Sequence, residues 1–186
     1  MIDEIFKTPV YIESLEVNLK ELKDLCLKER VKDKIGERKS NTGYQSGNIN
    51  IDLYKNLFDS IFKHAEKFYK LFEVEKDLIF QNAWININGK KDVNFSHNHP
   101  GSFMSGVFYV QTPPKSGNIT FENPINNFNF LSPMKFITKY NNYNACIMTL
   151  PTTEGTLLLF PSWLSHYVES NESNRERISI SFNMGL

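Results

Sequence analysis

The segment from Arg177 to Asn183 alternates strictly between polar and apolar residues, and this pattern constrains the fold more than any other feature. Ile178, Ile180 and Phe182 fall on one side of an extended chain, and the polar positions fall on the other. A period of two predicts a β-strand that packs its apolar face into the core. The polar face must then lie towards solvent or towards a polar cavity.

Similar short segments, separated by turn-forming residues, fill the second half of the chain. We predict strands over residues 79–88, 102–110, 118–121, 156–160, 165–168 and 177–183. Short strands with turns between them are typical of an antiparallel sandwich or barrel. The sequence therefore predicts a mainly β fold.

Helical periodicity replaces this alternation in the first 77 residues. Spaced leucines predict a helix over 18–34 with Asn18 as its N-cap, and an apolar stripe from Leu53 to Phe72 predicts a second helix. A short edge strand is expected over 6–12, and the polar segment 36–50 is interpreted as a functional loop.

A chain of 186 residues is long enough for one domain with a substantial core. We expect a single domain over residues 1–186, in which residues 1–77 pack as a strand and two helices against a β core of residues 78–186. The segment 124–144 is interpreted as an excursion over one end of this core.

The charge balance argues against several function classes. Lys and Arg together number 21, as do Asp and Glu, whereas nucleic-acid binding normally needs a basic face. Cys26 and Cys146 are too few for a disulfide framework, and no apolar run approaches the length of a membrane span. We expect a cytoplasmic protein with no membrane or nucleic-acid partner.

Three of the four histidines lie in two short segments that resemble adjacent strands. His97 and His99 are two residues apart, so both rings point the same way if this segment is a strand, and His166 would join them from a neighbouring strand. Three imidazoles with open positions beside them are suited to a transition metal such as Fe(II). The turn-formers around His99 also allow a solvated loop, and His166 alone would more often be a buried residue bonded to backbone.

Arg177 and Ser179 share the polar face of the last strand. A guanidinium with a hydroxyl beside it is a good receptor for a carboxylate, although Arg175 competes for the same role. Tyr109 lies on the same face of its strand as Ser105 and is a candidate donor to that carboxylate. Core packing explains Tyr109 equally well.

Several motifs resemble one family. They are Ser96 to Pro100, Ser105 to Val110, Gly117 to Pro124, Gly155 to His166 and Arg177 to Asn183, together with Ser40 to Ser46 and Trp84 to Asn86. Over roughly residues 40–186 the chain resembles the 2-oxoglutarate/Fe(II)-dependent oxygenases, in a prolyl-hydroxylase-like branch found in phages and bacteria.

This resemblance implies a double-stranded β-helix, or jelly roll, with flanking helices. It also implies Fe(II), 2-oxoglutarate as co-substrate, and O2. His166 matches the distal metal ligand, Arg177 matches the residue that binds the far carboxylate of 2-oxoglutarate, and Ser179 completes an Arg-x-Ser arrangement. The implied reaction is oxidative decarboxylation of 2-oxoglutarate coupled to hydroxylation of a small-molecule or peptide substrate.

The chain departs from the family pattern at the first metal-binding motif, where His99 occupies the position of an expected carboxylate. We favour His97, His99 and His166 as three ligands. Two other arrangements stay open: only His97 and His166 bind and an external anion fills the gap, or a carboxylate comes from elsewhere, with Asp92 and Glu122 as candidates.

The resemblance also suggests where substrate binds. We expect Trp84, Asn86 and Asn183 to contribute to its wall, together with the segments 36–50 and 124–144. Two other functions stay open: a three-histidine dioxygenase of the cupin type that does not use 2-oxoglutarate, and a non-catalytic jelly-roll module that binds a metal or a ligand.

Overall fold

The computed structural model describes residues 3, 5–37, 40–125 and 137–186. These residues form a mainly β structure, which confirms the predicted fold class. The elements are β1 (Tyr11–Ser14), α1 (Leu19–Lys32), β2 (Tyr44–Gln45), α2 (Lys55–Tyr69), β3 (Ile79–Asn88), β4 (Asn94–His97), β5 (Met104–Gln111), β6 (Ile119–Glu122), β7 (Ile147–Leu150), β8 (Thr156–Pro161), β9 (His166–Val168) and β10 (Arg177–Gly185); short 3-10 turns at Ile51–Tyr54 and Lys70–Phe72 flank α2.

The strands form two antiparallel sheets. The larger sheet has the order β1-β8-β5-β10-β3-β2, and the smaller has the order β4-β9-β6-β7. Strand β10 is the centre of the larger sheet, because it pairs with β3 on one side and β5 on the other. Its alternating residues therefore define both faces of that sheet.

Each face of the larger sheet contributes to a separate apolar core. The face that carries Ile178, Ile180 and Phe182 packs against the two helices, and Phe182 meets Phe58 of α2 edge to face at 6.0 Å between ring centroids. The other face supplies Val107, Tyr109, Leu158 and Phe160 to a smaller core shared with β6 of the second sheet. The polar residues of β10 thus face the space between the sheets.

Local sequence signals explain both helices. Asn18 caps α1 as predicted, because its side chain accepts a hydrogen bond from the Glu21 amide at 3.2 Å. The apolar stripe of α2 lies buried on the larger sheet, with Leu57, Ile61 and Ala65 at 1% exposure or less.

Two predictions for the N-terminal part need correction. The edge strand spans Tyr11–Ser14 rather than residues 6–12, and it pairs with β8. The segment 36–50 is more than a loop, because β2 pairs with β3 at the sheet edge and Asn41 forms a bridge with Asn94. Strand β2 is too short to show an alternating pattern, so it could not be predicted from the sequence.

The predicted excursion over 124–144 lies partly outside the described residues, which resume at 137. Within the described part of the chain, no helix has the length and apolar character needed to cross a membrane.

Candidate metal and co-substrate site

Three histidines converge between the sheets. His97 ends β4 and is the direct register partner of His166, which begins β9, and their ring centroids lie 4.6 Å apart. The ring of His99 lies 5.0 Å from His97 and 5.3 Å from His166. One nitrogen from each ring lies within 4.8 Å of the others, close enough for a single metal ion to bind all three.

The convergence of His99 has a different origin from the one we predicted. Strand β4 stops at His97, so His99 does not share a strand face with it. Instead the His99 amide donates a hydrogen bond to the Ser162 carbonyl at 2.9 Å, which holds the following loop against the β8–β9 connection. A tertiary contact, rather than strand alternation, directs this ring.

Backbone hydrogen bonds set which nitrogen each ring presents. The Nδ1 atom of His97 lies 2.6 Å from the Phe95 carbonyl oxygen, and that of His166 lies 2.9 Å from the Leu164 carbonyl oxygen. A carbonyl oxygen only accepts hydrogen bonds, so each Nδ1 carries the proton and donates it. Nε2 is then left with a free lone pair, the form in which a histidine binds a metal.

Burial keeps these imidazoles neutral. It lowers the pKa of His166 to about 3 and that of His99 to about 4, and it also lowers the pKa of His97. The neighbouring ring of His97 adds to the effect on His99 and His166, because two protonated imidazoles would repel each other. Neutral rings with free lone pairs fit the donor set that Fe(II) requires.

Arg177 lies in the same cavity as the three histidines and is 1% exposed. Its guanidinium donates to the backbone carbonyls of Ser116 and Glu169 and to Oδ1 of Asn94. Among the described residues it has no carboxylate within ion-pair distance. Burial lowers the pKa of this group, and a buried cation without a counter-ion is costly, so the site is suited to an anionic ligand.

Tyr109 and Ser179 complete this end of the cavity. They are register partners on β5 and β10, and both line the cavity with Arg177. The Tyr109 hydroxyl is buried and has no hydrogen-bond partner within the part of the chain that the structure describes, and burial raises its pKa. A buried unsatisfied hydroxyl beside a buried cation provides a second donor for a carboxylate.

The two alternative carboxylates are engaged elsewhere. Asp92 accepts a hydrogen bond from the Gly89 amide at 2.7 Å within the β3–β4 turn, and another at 3.1 Å from the hydroxyl of Thr42, which lies just before β2. Glu122 accepts from the Ser96 hydroxyl at 2.7 Å. Neither residue lines the cavity or belongs to the histidine cluster.

The predicted substrate-wall residues separate into two groups. Trp84 and Asn86 line the cavity, and the Trp84 ring lies 5.6 Å from that of His99. Asn183 lies outside the cavity lining, because its side chain bonds Ser105 at 2.8 Å and Asn82 at 3.0 Å. These bonds link Asn183 to both neighbouring strands, and its contribution to the substrate wall stays a prediction.

Ser40, within the segment 36–50 expected at the substrate wall, also lines the cavity, whereas sequence reasoning missed Asn94. Asparagine is common throughout the chain, so Asn94 did not stand out in the sequence.

A protein-family model described as "Putative 2OG-Fe(II) oxygenase" matches residues 82–183, which include all three histidines and Arg177. The chain belongs to this family of 2-oxoglutarate- and Fe(II)-dependent oxygenases. This confirms the resemblance noted in the sequence and identifies an oxidoreductase that uses Fe(II), 2-oxoglutarate and O2. No curated protein is significantly similar in sequence.

Solved structures of related enzymes share the fold. A prolyl-4-hydroxylase from Pseudomonas putida is 12% identical, with a TM-score of 0.60 over 95% of this chain and 92% of that one. The viral collagen prolyl hydroxylase of Paramecium Bursaria Chlorella virus-1, in complex with 2-oxoglutarate, is 14% identical, with a TM-score of 0.60 over 95% and 97%. HygX from Streptomyces hygroscopicus with iron bound is 11% identical, with a TM-score of 0.58 over 96% and 82%. These likenesses establish a double-stranded β-helix.

Proposed function

We propose that His97, His99 and His166 hold the Fe(II) ion of this oxygenase. The observation that carries the proposal is the convergence of three neutral imidazoles beside a buried, unpaired arginine. The fixed Nδ1–H groups of His97 and His166 support Nε2 as the ligand atom of each. The engagement of Asp92 and Glu122 in other hydrogen bonds favours His99 as the third ligand.

Arg177 is proposed to bind the far carboxylate of 2-oxoglutarate, with Ser179 and Tyr109 as further hydrogen-bond donors. This ligand supplies the negative charge that the buried guanidinium lacks. It also gives the Tyr109 hydroxyl an acceptor, which that group lacks among the described residues. These three residues would orient the co-substrate and exclude water from its carboxylate.

The bound iron and 2-oxoglutarate together supply the oxidising chemistry, in which O2 converts 2-oxoglutarate to succinate and CO2 while a substrate C–H bond becomes C–OH. The protein binds and orients both partners. A small-molecule or peptide substrate is proposed to lie against Trp84 and Asn86.

The cytoplasmic location of the protein stays a prediction.

One observation favours a second candidate, a three-histidine dioxygenase that does not use 2-oxoglutarate. The candidate ligand set has three imidazoles and no carboxylate. This alternative gives no purpose to the unpaired charge of Arg177, so it accounts for less of the site. It predicts that Arg177→Met keeps metal-dependent turnover.

Anaerobic absorption spectroscopy tests the proposal. We expect Fe(II) and 2-oxoglutarate to give a visible metal-to-ligand band with the wild-type protein. The band should vanish in His166→Ala and persist in His64→Ala, since His64 bonds Tyr11 at 2.8 Å in another part of the chain. No band in the wild type, or a band that survives in His166→Ala, would contradict the proposal.

A further inference from the structure

We propose that Asn94 sets the affinity for the co-substrate, because its neutral side chain holds the Arg177 guanidinium in place without neutralising it. The positive charge is thereby reserved for a carboxylate of the bound co-substrate. This inference rests on the proposed role of Arg177 in binding 2-oxoglutarate.

Three neutral oxygen atoms surround the guanidinium. Nη2 donates to Oδ1 of Asn94 at 3.0 Å, and Nη1 donates to the Glu169 carbonyl at 3.2 Å and to the Ser116 carbonyl. Asn94 supplies the one side chain among these acceptors. A guanidinium has five N–H donors in a rigid fork, so these contacts fix its orientation and still leave donors for a ligand.

The two carboxylates that act on Arg177 electrostatically are bonded to other groups. Asp92 and Glu169 both favour its charged form, but neither carboxylate forms an ion pair with it. Glu169 accepts a hydrogen bond from the Asn118 amide at 3.0 Å, and Asp92 is bonded within the β3–β4 turn. The side chain that bonds the guanidinium is an amide, at a position where a carboxylate of the same size would fit.

Asn94 lies between the histidine cluster and the part of the cavity that contains Arg177. It lies in β4, three residues before His97, and it lines the cavity with the histidines. It is held by pairing with Val168 of β9 and by the bridge to Asn41. Because it acts through Arg177 and not on the reacting atoms, Asn94 is a positioning residue.

A purely structural role for Asn94 makes a different prediction from the proposed one. Aspartate has the same shape as asparagine and accepts the same hydrogen bond, so Asn94→Asp preserves a structural contact. It also adds a negative charge beside a buried cation, which strengthens the interaction within the protein. Under our proposal the same change fills the place of the ligand's carboxylate and weakens 2-oxoglutarate binding.

The experiment compares the wild-type protein with three variants: Asn94→Asp, Asn94→Leu and Asn174→Asp. The last variant adds the same charge at an exposed position, where Asn174 accepts a hydrogen bond from Lys90 at 2.8 Å. Two quantities are measured: the unfolding midpoint without ligand, and the Kd of 2-oxoglutarate by calorimetry with Mn(II) as a metal that does not turn over.

We expect Asn94→Asp to bind 2-oxoglutarate at least tenfold more weakly and to unfold several degrees higher than the wild type. Asn94→Leu should unfold at a lower temperature and lose less affinity, and Asn174→Asp should match the wild type in both. A Kd for Asn94→Asp within threefold of the wild type would overturn the inference. So would a loss in Asn94→Leu as large as that in Asn94→Asp.

Failure of the proposed function has a separate signature. If the wild type does not bind 2-oxoglutarate, the proposed role of Arg177 is wrong. The unfolding midpoints then still test whether a carboxylate at position 94 stabilises the buried Arg177 charge. An Asn94→Asp midpoint no higher than that of Asn174→Asp would then show that Arg177 gains nothing from a carboxylate at this position and would overturn the inference.

Discussion

His97 and His166 lie directly opposite each other across β4 and β9, and each imidazole donates its Nδ1 proton to the backbone carbonyl two residues earlier in the chain. The same kind of backbone hydrogen bond therefore orients both rings. Each ring is held by its own backbone and presents Nε2 to the space between the sheets. His99 lies in the loop after β4, and within the described part of the chain its ring has no backbone acceptor of this kind.

Mutation of His99 can change the net charge of the proposed metal ligands. We expect His99→Asp to bind Fe(II) about tenfold more tightly than the wild type, or about 1.4 kcal/mol, because a carboxylate adds a negative charge to a ligand set of neutral imidazoles. Anaerobic competition with a chelator measures this affinity. His99→Asn is the uncharged control, and an Asp variant that binds no more tightly than the Asn variant would contradict the expectation.

Arg177 is the proposed anchor of the co-substrate, and Arg175 provides a matched control on the same segment. We expect 2-oxoglutarate to raise the unfolding midpoint of the wild type and of Arg175→Met in a concentration-dependent way, because ligand binding stabilises the folded state. Arg177→Met should lose this response, since it removes the buried charge, whereas Arg175 is exposed. Equal responses in the two variants would exclude Arg177 as the anchor.

Removing the unpartnered hydroxyl of Tyr109 should affect the stability of the free protein and its affinity for 2-oxoglutarate differently. Tyr109→Phe should leave the free energy of unfolding without ligand unchanged or raise it by up to about 1 kcal/mol, because an unsatisfied buried hydroxyl is unfavourable. The Kd of 2-oxoglutarate should rise about fivefold to tenfold. Denaturant unfolding and calorimetry measure the two effects, and a destabilised variant with unchanged Kd would indicate a role in packing alone.

Gly106 reports on the packing of the larger sheet. A Cβ atom at this position would lie 2.3 Å from Cζ of Phe182 and 2.8 Å from Cδ2 of Leu159, both of which are buried. We expect Gly106→Ala to reduce the free energy of unfolding by about 1–3 kcal/mol. Gly47→Ala, where the nearest atom would be 3.7 Å away, is the control and should change stability by less than about 0.5 kcal/mol.

Local patterns were sufficient to predict most of the elements. The alternation in β10 predicted which residues face the helices, and Ile178, Ile180 and Phe182 are all fully buried there. The N-cap at Asn18 was also readable, because capping depends on a few neighbouring residues. By contrast β2 and β7 were missed, since Tyr44–Gln45 is too short to show a period and Ile147–Leu150 is largely exposed.

The site was predicted in part. His166, Arg177 and Ser179 were identified from the family motif, and the structure brings them to one cavity with His97, His99 and Tyr109. The strand argument for His99 was wrong, because the bond to Ser162 and not the period of β4 directs its ring. Asn94 was missed, since its contact with Arg177 joins residues 83 positions apart.

The sequence by itself determined which faces of the strands are apolar, and it carried the motifs of the oxygenase family, because both are local properties of the chain. Only the tertiary structure decided which polar groups meet and which are left without a partner. Among the described residues, Arg177 lacks an ion-pair partner and the Tyr109 hydroxyl lacks a hydrogen-bond partner. Both groups are buried because two sheets close over them, and burial is a property of the packed fold and not of any segment.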